Sequence, residues 1–133
     1  MIYAYTILYV ENVLETVVFY ERAFGCKRKF VTPEEDYGEL QTGATTIAFA
    51  SFALGHSNFR QGFQKMEDGG RPFGVELAFT TNSIASDFGK AVAAGATVYE
   101  PLVQKPWGQK VGYVRDNNGF LIEICTPIKT EDA

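Results

Sequence analysis

Two glutamates in the second half of the chain carry the clearest chemical signal of the sequence. Glu76 and Glu123 each lie in a run of alternating residues typical of a half-buried β-strand, so each side chain is predicted to point away from its apolar neighbours. Two carboxyl groups in one mostly apolar site suit a general acid–base pair, a cation site, or recognition of polar groups on a ligand. If the two lie close together, one carboxyl is expected to hold a proton near neutral pH. The alternative for each is neutralisation by a cation such as Arg60 or Arg115, or exposure to solvent.

Aromatic residues supply the second signal. The chain of 133 residues contains 11 Phe, 7 Tyr and 1 Trp, so rings are expected to line a core and a pocket. Tyr5 and Tyr9 alternate in one strand-like segment, which predicts two rings and two hydroxyls on the same face. Plain aromatic packing is an equally good interpretation of both. The only histidine, His56, is interpreted as an exposed residue of a connecting segment.

Composition argues against several other classes of function. A formal net charge of -4 without a run of like charges disfavours nucleic acid or an anionic membrane as the partner. The N-terminus lacks a basic segment and no stretch approaches roughly 18 apolar residues, so neither a signal peptide nor a membrane span is expected. Cys26 and Cys125 have no metal-ligand spacing and are interpreted as reduced core thiols of a cytoplasmic protein. Neither a phosphate-binding loop nor a Ser-His-Asp or Cys-His arrangement is present.

The elements that must position these residues occur twice. In the first half, a strand is followed by a helix that begins after the cap residue Asn12 and ends at Gly25. In the second half, a strand is followed by a helix between Asn82 and Gly95. The predicted strands of the first half are 5–10, 28–31, 38–42 and 45–52, and those of the second half are 75–81, 98–100, 112–115 and 120–125.

Both cap and terminator recur at an offset of 70 residues, since 82 − 12 and 95 − 25 give the same number. This indicates an internal duplication. We therefore predict an α+β fold in which two tandem βαβββ modules form a curved mixed sheet around a cleft, with the helices outside. The modules span about 1–54 and 75–128 within a single domain of 1–133, and the linker of about 55–74 is expected to be partly helical or to fold over the cleft.

Strand alternation then sorts the side chains into two faces. The helices cover one face of each strand, so the other face is predicted to line the cleft. The residues predicted to point into the cleft are Tyr5, Ile7 and Tyr9 from the first strand, Glu76, Ala78 and Thr80 from the fifth, and Leu121, Glu123 and Cys125 from the last.

The chain resembles the vicinal oxygen chelate superfamily, also called the glyoxalase/bleomycin resistance/dioxygenase superfamily. In the first module the resemblance rests on Tyr5-Thr6-Ile7-Leu8-Tyr9-Val10, Val18-Phe19-Tyr20-Glu21 and Phe24-Gly25. In the second module it rests on Lys105-Pro106-Trp107-Gly108, Tyr113-Val114-Arg115-Asp116 and Gly119-Phe120-Leu121-Ile122-Glu123. Both modules are covered, so the resemblance extends over nearly the whole chain.

The resemblance implies a divalent metal held by one residue on each of four strands, typically His, Gln or Glu. These positions fall on Tyr5, on Ala48 or its neighbour Ile47, on Glu76 and on Glu123. Alanine and isoleucine cannot bind a metal, and two carboxylates make a weak site for Zn²⁺ or Ni²⁺. A hard cation such as Mg²⁺ or Mn²⁺, with water completing its coordination, is the better match.

The leading hypothesis is a metal-free protein of the bleomycin-resistance type that binds a small aromatic or planar molecule, with Glu76 and Glu123 fixing its polar groups. The residues expected to give apolar and stacking contacts are Tyr5, Tyr9, Phe49, Phe52 and Trp107. The alternative is a divalent-metal-dependent lyase, isomerase or dioxygenase in which Glu76 and Glu123 hold the cation and Tyr5 acts as a ligand or acid. A third hypothesis is a structural or regulatory dimer whose cleft is vestigial. The resemblance also implies a homodimer.

Overall fold

The chain folds into two units with the same order of elements, and the computed structural model describes residues 1–67 and 69–128. The first unit is Met1–Met66 and the second begins at Glu67. The elements of the first unit are β1 (Tyr5–Val10), α1 (Val13–Phe24), β2 (Lys27–Val31), β3 (Tyr37–Thr42), β4 (Thr45–Ser51) and α2 (Phe52–Asn58). Those of the second unit are β5 (Glu76–Thr80), α3 (Ile84–Ala93), β6 (Thr97–Gln104), β7 (Lys110–Arg115) and β8 (Leu121–Cys125).

Each unit builds one four-stranded mixed sheet. The strand orders are β1-β4-β3-β2 and β5-β8-β7-β6. In each sheet the first strand lies parallel to the last, and the remaining pairs are antiparallel. The predicted α+β fold of two βαβββ modules is confirmed. The short helix α2 also shows that the segment after the first module begins with a helical turn.

Helix α1 begins and ends where the sequence predicts. The Asn12 side chain accepts a hydrogen bond from the backbone N–H of Glu15 at 2.9 Å, which satisfies one of the free donors of the first turn. Gly25 ends the helix with a left-handed φ of 68°. On the buried face, the ring of Tyr20 lies 4.8 Å from that of Phe49 in β4, and both side chains are fully buried. This contact is the centre of the first unit's core.

Helix α3 begins one residue later than predicted. Its N-cap is Ser83 rather than Asn82, and the Ser83 side chain makes no capping hydrogen bond. The Thr81 hydroxyl accepts the backbone N–H of Ser83 at 2.9 Å and donates to Asp87 at 2.5 Å, so Thr81 links the residue before the helix to its first turns. The offset between the two helix starts is therefore 71 residues (83 − 12), not 70.

The end of α3 agrees with the prediction. Gly95, with φ of 114°, follows the last helical turn. Its N–H donates to the carbonyl of Val92 at 3.0 Å, and the N–H of Ala96 donates to that of Ala91 at 3.0 Å. This pair of bonds is a Schellman motif, which needs a residue that tolerates a positive φ.

Strand β6 is much longer than the predicted 98–100. Pro101 lies inside it and has no N–H to donate to a neighbouring strand. The register shifts on both sides of Glu100, and β6 is an edge strand, so proline is accommodated there. Because Pro101 and the register shifts interrupt the regular alternation of β6, the sequence pattern predicted only part of this strand.

The two faces of the second sheet can be assigned from Gly112. A Cβ atom added to Gly112 would lie 2.6 Å from the Phe88 ring of α3, so Gly112 faces the helix. Gly112 pairs with Ile124 of β8, which is only 3% exposed. Because side chains alternate along a strand, Glu123 points to the opposite side, as predicted. We call this side the Glu123 face.

Register shows which positions of the two sheets correspond. Ile7 of β1 pairs with Ala48 of β4, and Ala78 of β5 pairs with Glu123 of β8. Ala48 in the first sheet therefore occupies the place that Glu123 occupies in the second. The 71-residue offset likewise makes Tyr5 the counterpart of Glu76.

Two further expectations concern membranes and thiols. In the described ranges 1–67 and 69–128, no helix is long and apolar enough to cross a membrane. Both cysteines are free thiols. Burial, with a smaller effect from the charge of Glu21, raises the pKa of Cys26 to about 11, so this thiol stays protonated at neutral pH.

Candidate functional site

The carboxyl groups of Glu76 and Glu123 meet on the Glu123 face. Glu76 lies opposite Leu121 and Ala78 lies opposite Glu123, so the two glutamates are diagonal neighbours on adjacent strands. The two carboxyl groups lie close enough for Glu123 to act on the pKa of Glu76. When Glu76 is protonated it can donate a hydrogen bond to a neighbouring carboxyl, whereas two ionised carboxylates repel each other.

The environment favours the proton on Glu76. Desolvation raises the pKa of Glu76, and the hydrogen bond with Glu123 and the negative charge of Glu123 raise it further. Within residues 1–67 and 69–128, the ion pairs are Arg28 with Glu21 and Lys29 with Glu39, so neither carboxyl of the pair is neutralised by a described cation.

Tyr113 joins the pair from β7. It is the register partner of Glu123, and its hydroxyl donates to Oε1 of Glu123 at 2.9 Å. Desolvation raises the pKa of Tyr113 to about 12, and the hydrogen bond to Glu123 and its charge act in the same direction. The phenol therefore remains a donor at neutral pH. Tyr113 was not predicted as a site residue, although alternation along β7 places its side chain on the face opposite Gly112.

The Cys125 thiol is the fourth member of the cluster. Burial raises its pKa to about 11, and a hydrogen bond with Glu123 adds to this, while a hydrogen bond with Gln109 lowers the pKa. The neutral thiol is a poor nucleophile at physiological pH. We call Glu76, Tyr113, Glu123 and Cys125 the Glu123 cluster.

The first sheet carries a tyrosine–glutamate pair of its own. The Tyr37 hydroxyl donates to Oε2 of Glu39 at 2.7 Å, and Lys29 Nζ lies 3.8 Å from Oε1 of Glu39. Desolvation and then the hydrogen bond to Glu39 raise the pKa of Tyr37. Glu39 pairs with Ala48 in the neighbouring strand. Tyr5, exposed on the adjacent edge strand, is close enough to contribute to the raised pKa of Tyr37.

Three of the predicted aromatic contacts are used for packing within the first unit. Phe49 alternates onto the helix side of β4 and is fully buried against Tyr20. Phe52 is the first residue of α2 rather than the last of β4, and its ring lies 5.9 Å from Phe63. The ring of Tyr9 lies 5.0 Å from the same phenylalanine. A cluster of rings thus packs at this end of the first sheet.

Trp107 lies in the turn between β6 and β7. Its indole N–H donates to Oε1 of Gln109 at 2.8 Å, and Nε2 of Gln109 donates to the backbone carbonyl of Thr126 at 2.8 Å. The ring itself is 65% exposed. The described hydrogen bond of the Trp107 side chain is therefore to Gln109 in the same turn and not to either glutamate.

The cationic candidates and the histidine make no described ion pair with the two glutamates. Arg115 donates from Nε to the carbonyl of Gly119 at 2.9 Å and from Nη1 to that of Gly70 at 2.5 Å. Its guanidinium therefore binds backbone and not the glutamates. Arg60 is exposed after α2, and His56 is exposed on α2, in agreement with its interpretation from sequence.

The four positions at which the resemblance implies metal ligands do not fit a resident Zn²⁺ or Ni²⁺. Ala48 carries no donor, and the set lacks an imidazole or thiolate. Of the two carboxyl groups, that of Glu123 already accepts a hydrogen bond from Tyr113. Within the described part of the chain, no group of three or more His, Cys, Asp or Glu is arranged to hold a metal ion.

The protein therefore consists of two βαβββ modules, each with a helix on one side of its sheet. A model of the Glyoxalase/Bleomycin resistance protein/Dioxygenase superfamily matches residues 2–124. The chain therefore belongs to this superfamily, which confirms the resemblance seen in the sequence.

Solved structures show the same fold at low sequence identity. A glyoxalase-related enzyme from Fulvimarina pelagi is 21% identical with a TM-score of 0.79, covering 96% of this chain and 89% of the other. A glyoxalase/bleomycin resistance protein/dioxygenase family enzyme from Burkholderia phytofirmans PsJN is 20% identical with a TM-score of 0.75, covering 92% and 96%. TioX from Micromonospora sp. ML1 is 20% identical with a TM-score of 0.70, covering 93% and 98%. No curated protein matches the chain.

Proposed function

We propose that the chain binds a small aromatic molecule carrying a hydroxyl or amino group at the Glu123 face, without a metal. The observation that carries the proposal is the placement of Glu76, Glu123 and Tyr113 on one face of the second sheet, with the Tyr113 hydroxyl 2.9 Å from Oε1 of Glu123. Two carboxyl groups and a phenol on one face present hydrogen-bond acceptors and donors to one ligand group. The negative charge of the pair favours neutral or cationic ligands over anions.

The rest of the Glu123 cluster supports recognition rather than nucleophilic chemistry. The raised pKa values of Tyr113 and Cys125 keep both groups neutral. Leu121 and Ala78 lie beside the glutamates and supply apolar surface on the same face. Members of the superfamily typically bind small molecules. An apolar surface with a few converging polar groups is the usual composition of such sites.

Binding can be tested with probes that share one ring system. 2-Naphthol and 2-naphthylmethylamine are titrated into the protein by isothermal calorimetry, and Glu123→Gln is compared with Glu34→Gln, which removes a charge in an exposed turn. We expect Glu123→Gln to weaken binding roughly tenfold, because a hydrogen bond to a charged group is lost. Glu34→Gln should bind as the unmodified chain does. Equal binding by the two variants would refute the proposed site.

Metal content distinguishes the proposal from the metal-dependent alternative. The protein is purified without chelators and analysed by inductively coupled plasma mass spectrometry. We expect no stoichiometric divalent metal. One equivalent of metal that disappears in Glu123→Gln would overturn the metal-free proposal in favour of a lyase, isomerase or dioxygenase that uses Glu76 and Glu123 as ligands.

A further inference from the structure

We propose that a second site, on the helix side of the second sheet beside Trp107, binds a planar aromatic anion. The observation is a cavity of about 700 Å³ between the β6–β7 turn, the start of α3 and the chain that follows β8. This volume lies in the range of about 300–1,000 Å³ that is typical of small-molecule sites.

The cavity lining does not include Glu76, Tyr113 or Glu123, although Gln109, which lines it, also forms a hydrogen bond with Cys125 of the Glu123 cluster. Gly112 faces α3, because a Cβ there would meet Phe88. Lys110 lies two residues earlier on the same strand and therefore shares the helix side. Gln104, its register partner, and Ile84, the first residue of α3, line the same cavity. Glu123 points to the other side of the sheet.

The indole of Trp107 provides a flat surface at the cavity. Its N–H is already bonded to Gln109, so the ring offers its face to a ligand rather than a further donor. The ring is 65% exposed, and Ile128, which also lines the cavity, is 68% exposed. Two large apolar side chains left open to solvent beside a cavity suit an aromatic ligand that stacks on the tryptophan.

Charge selects an anion at this cavity. The exposed Lys110 side chain is a lining residue and forms no ion pair with any described residue. No acidic residue is among the described residues that line the cavity, although the whole chain has a net charge of -4. Gln104 and Asn82 add carboxamide donors. A carboxylate or sulfonate on the ring system would thus find a cation and neutral donors without a repelling charge.

The test uses 2-naphthoate, with 2-naphthamide as its neutral counterpart. Calorimetry gives the affinity, and the emission of Trp107, the chain's only tryptophan, reports on the site directly. We expect saturable binding of 2-naphthoate that changes the Trp107 emission, with roughly tenfold weaker binding of the amide and of the Lys110→Gln variant. Lys110→Arg keeps the charge and should bind within about threefold of the unmodified chain.

One control locates the site. Lys90→Gln removes an exposed charge from the last turn of α3, outside the cavity lining, and should leave the affinity unchanged. The absence of saturable binding, equal affinity for acid and amide, or equal losses in Lys110→Gln and Lys90→Gln would each overturn the proposal. Thermal melting establishes that every variant is folded.

Discussion

Tyr113 and Glu123 face each other across the β7–β8 pair, and the phenol donates to the carboxyl of Glu123 at 2.9 Å. Tyr37 donates to Glu39 at 2.7 Å in the first sheet, so each unit contains a tyrosine whose donor is directed at a glutamate. The difference is that Glu123 has a second carboxyl group beside it, that of Glu76, whose pKa it raises.

The contribution of the phenol can be measured with Tyr113→Phe. This change removes the donor to Glu123 and keeps the ring, so we expect a loss of about 0.5–1 kcal/mol in the free energy of unfolding at neutral pH. Tyr99→Phe in β6, where the ring is 45% exposed, is the matched control and should change stability little. Urea denaturation measures both. Equal stability of the two variants would show that the hydrogen bond contributes nothing.

The raised pKa of Glu76 predicts a pH-dependent effect of Glu76→Gln. Glu76 has a raised pKa in the folded state, so its ionisation costs stability as pH rises from the ordinary value of 4.5 through the folded pKa. Below the ordinary value the group is protonated in both states and the cost disappears. Glutamine resembles the protonated acid and does not ionise. We expect Glu76→Gln to raise the Tm by about 1–3 °C near pH 8 and by much less near about pH 4.

The control for this measurement is Glu34→Gln, which neutralises a glutamate in the exposed turn between β2 and β3. Its melting temperature should follow that of the unmodified chain at both pH values. If Glu76→Gln gained more stability over the unmodified chain near about pH 4 than near pH 8, the raised pKa of Glu76 would be contradicted.

Sequence periodicity predicted the pairing of Glu76 and Glu123 because alternation fixes the face of a side chain. It did not predict the hydrogen bond between Glu123 and Tyr113, since the partner of a residue on another strand depends on register, which a single segment does not contain. Burial of Phe49 against Tyr20 likewise depends on the packing of α1 on β4, which strand alternation alone does not give.

Arg115 links the β7–β8 turn to the segment that precedes β5. It donates to the carbonyls of Gly119 and Gly70, and from Nη2 to that of Glu67 at 3.2 Å. A lysine has a single ammonium group and cannot reproduce this fork. We expect Arg115→Lys to lower the free energy of unfolding by about 1–2 kcal/mol in urea denaturation. Arg71→Lys, at an exposed arginine nearby in sequence, should have little effect, and equal losses in the two variants would contradict the assignment.

Two helical glycines should respond in opposite directions to alanine. A Cβ on Gly55 in α2 would lie 2.5 Å from a ring carbon of Phe63 and 2.9 Å from one of Tyr9, so Gly55→Ala must displace the rings packed there. Gly89 in α3 has nothing within 4 Å of the same atom. We expect Gly55→Ala to cost about 1–3 kcal/mol through overpacking. Gly89→Ala should add about 0.5–1 kcal/mol, since alanine has the higher helix propensity.

Because the same substitution is made in both helices, the difference between the variants isolates the close approach of α2 to Tyr9 and Phe63. Thermal and urea denaturation should place Gly89→Ala above the unmodified chain and Gly55→Ala below it. If Gly55→Ala were as stable as Gly89→Ala, the aromatic rings would have to be free to move away from α2. Tyr9 would then be available as the ligand contact that the sequence predicted, rather than committed to packing within the first unit.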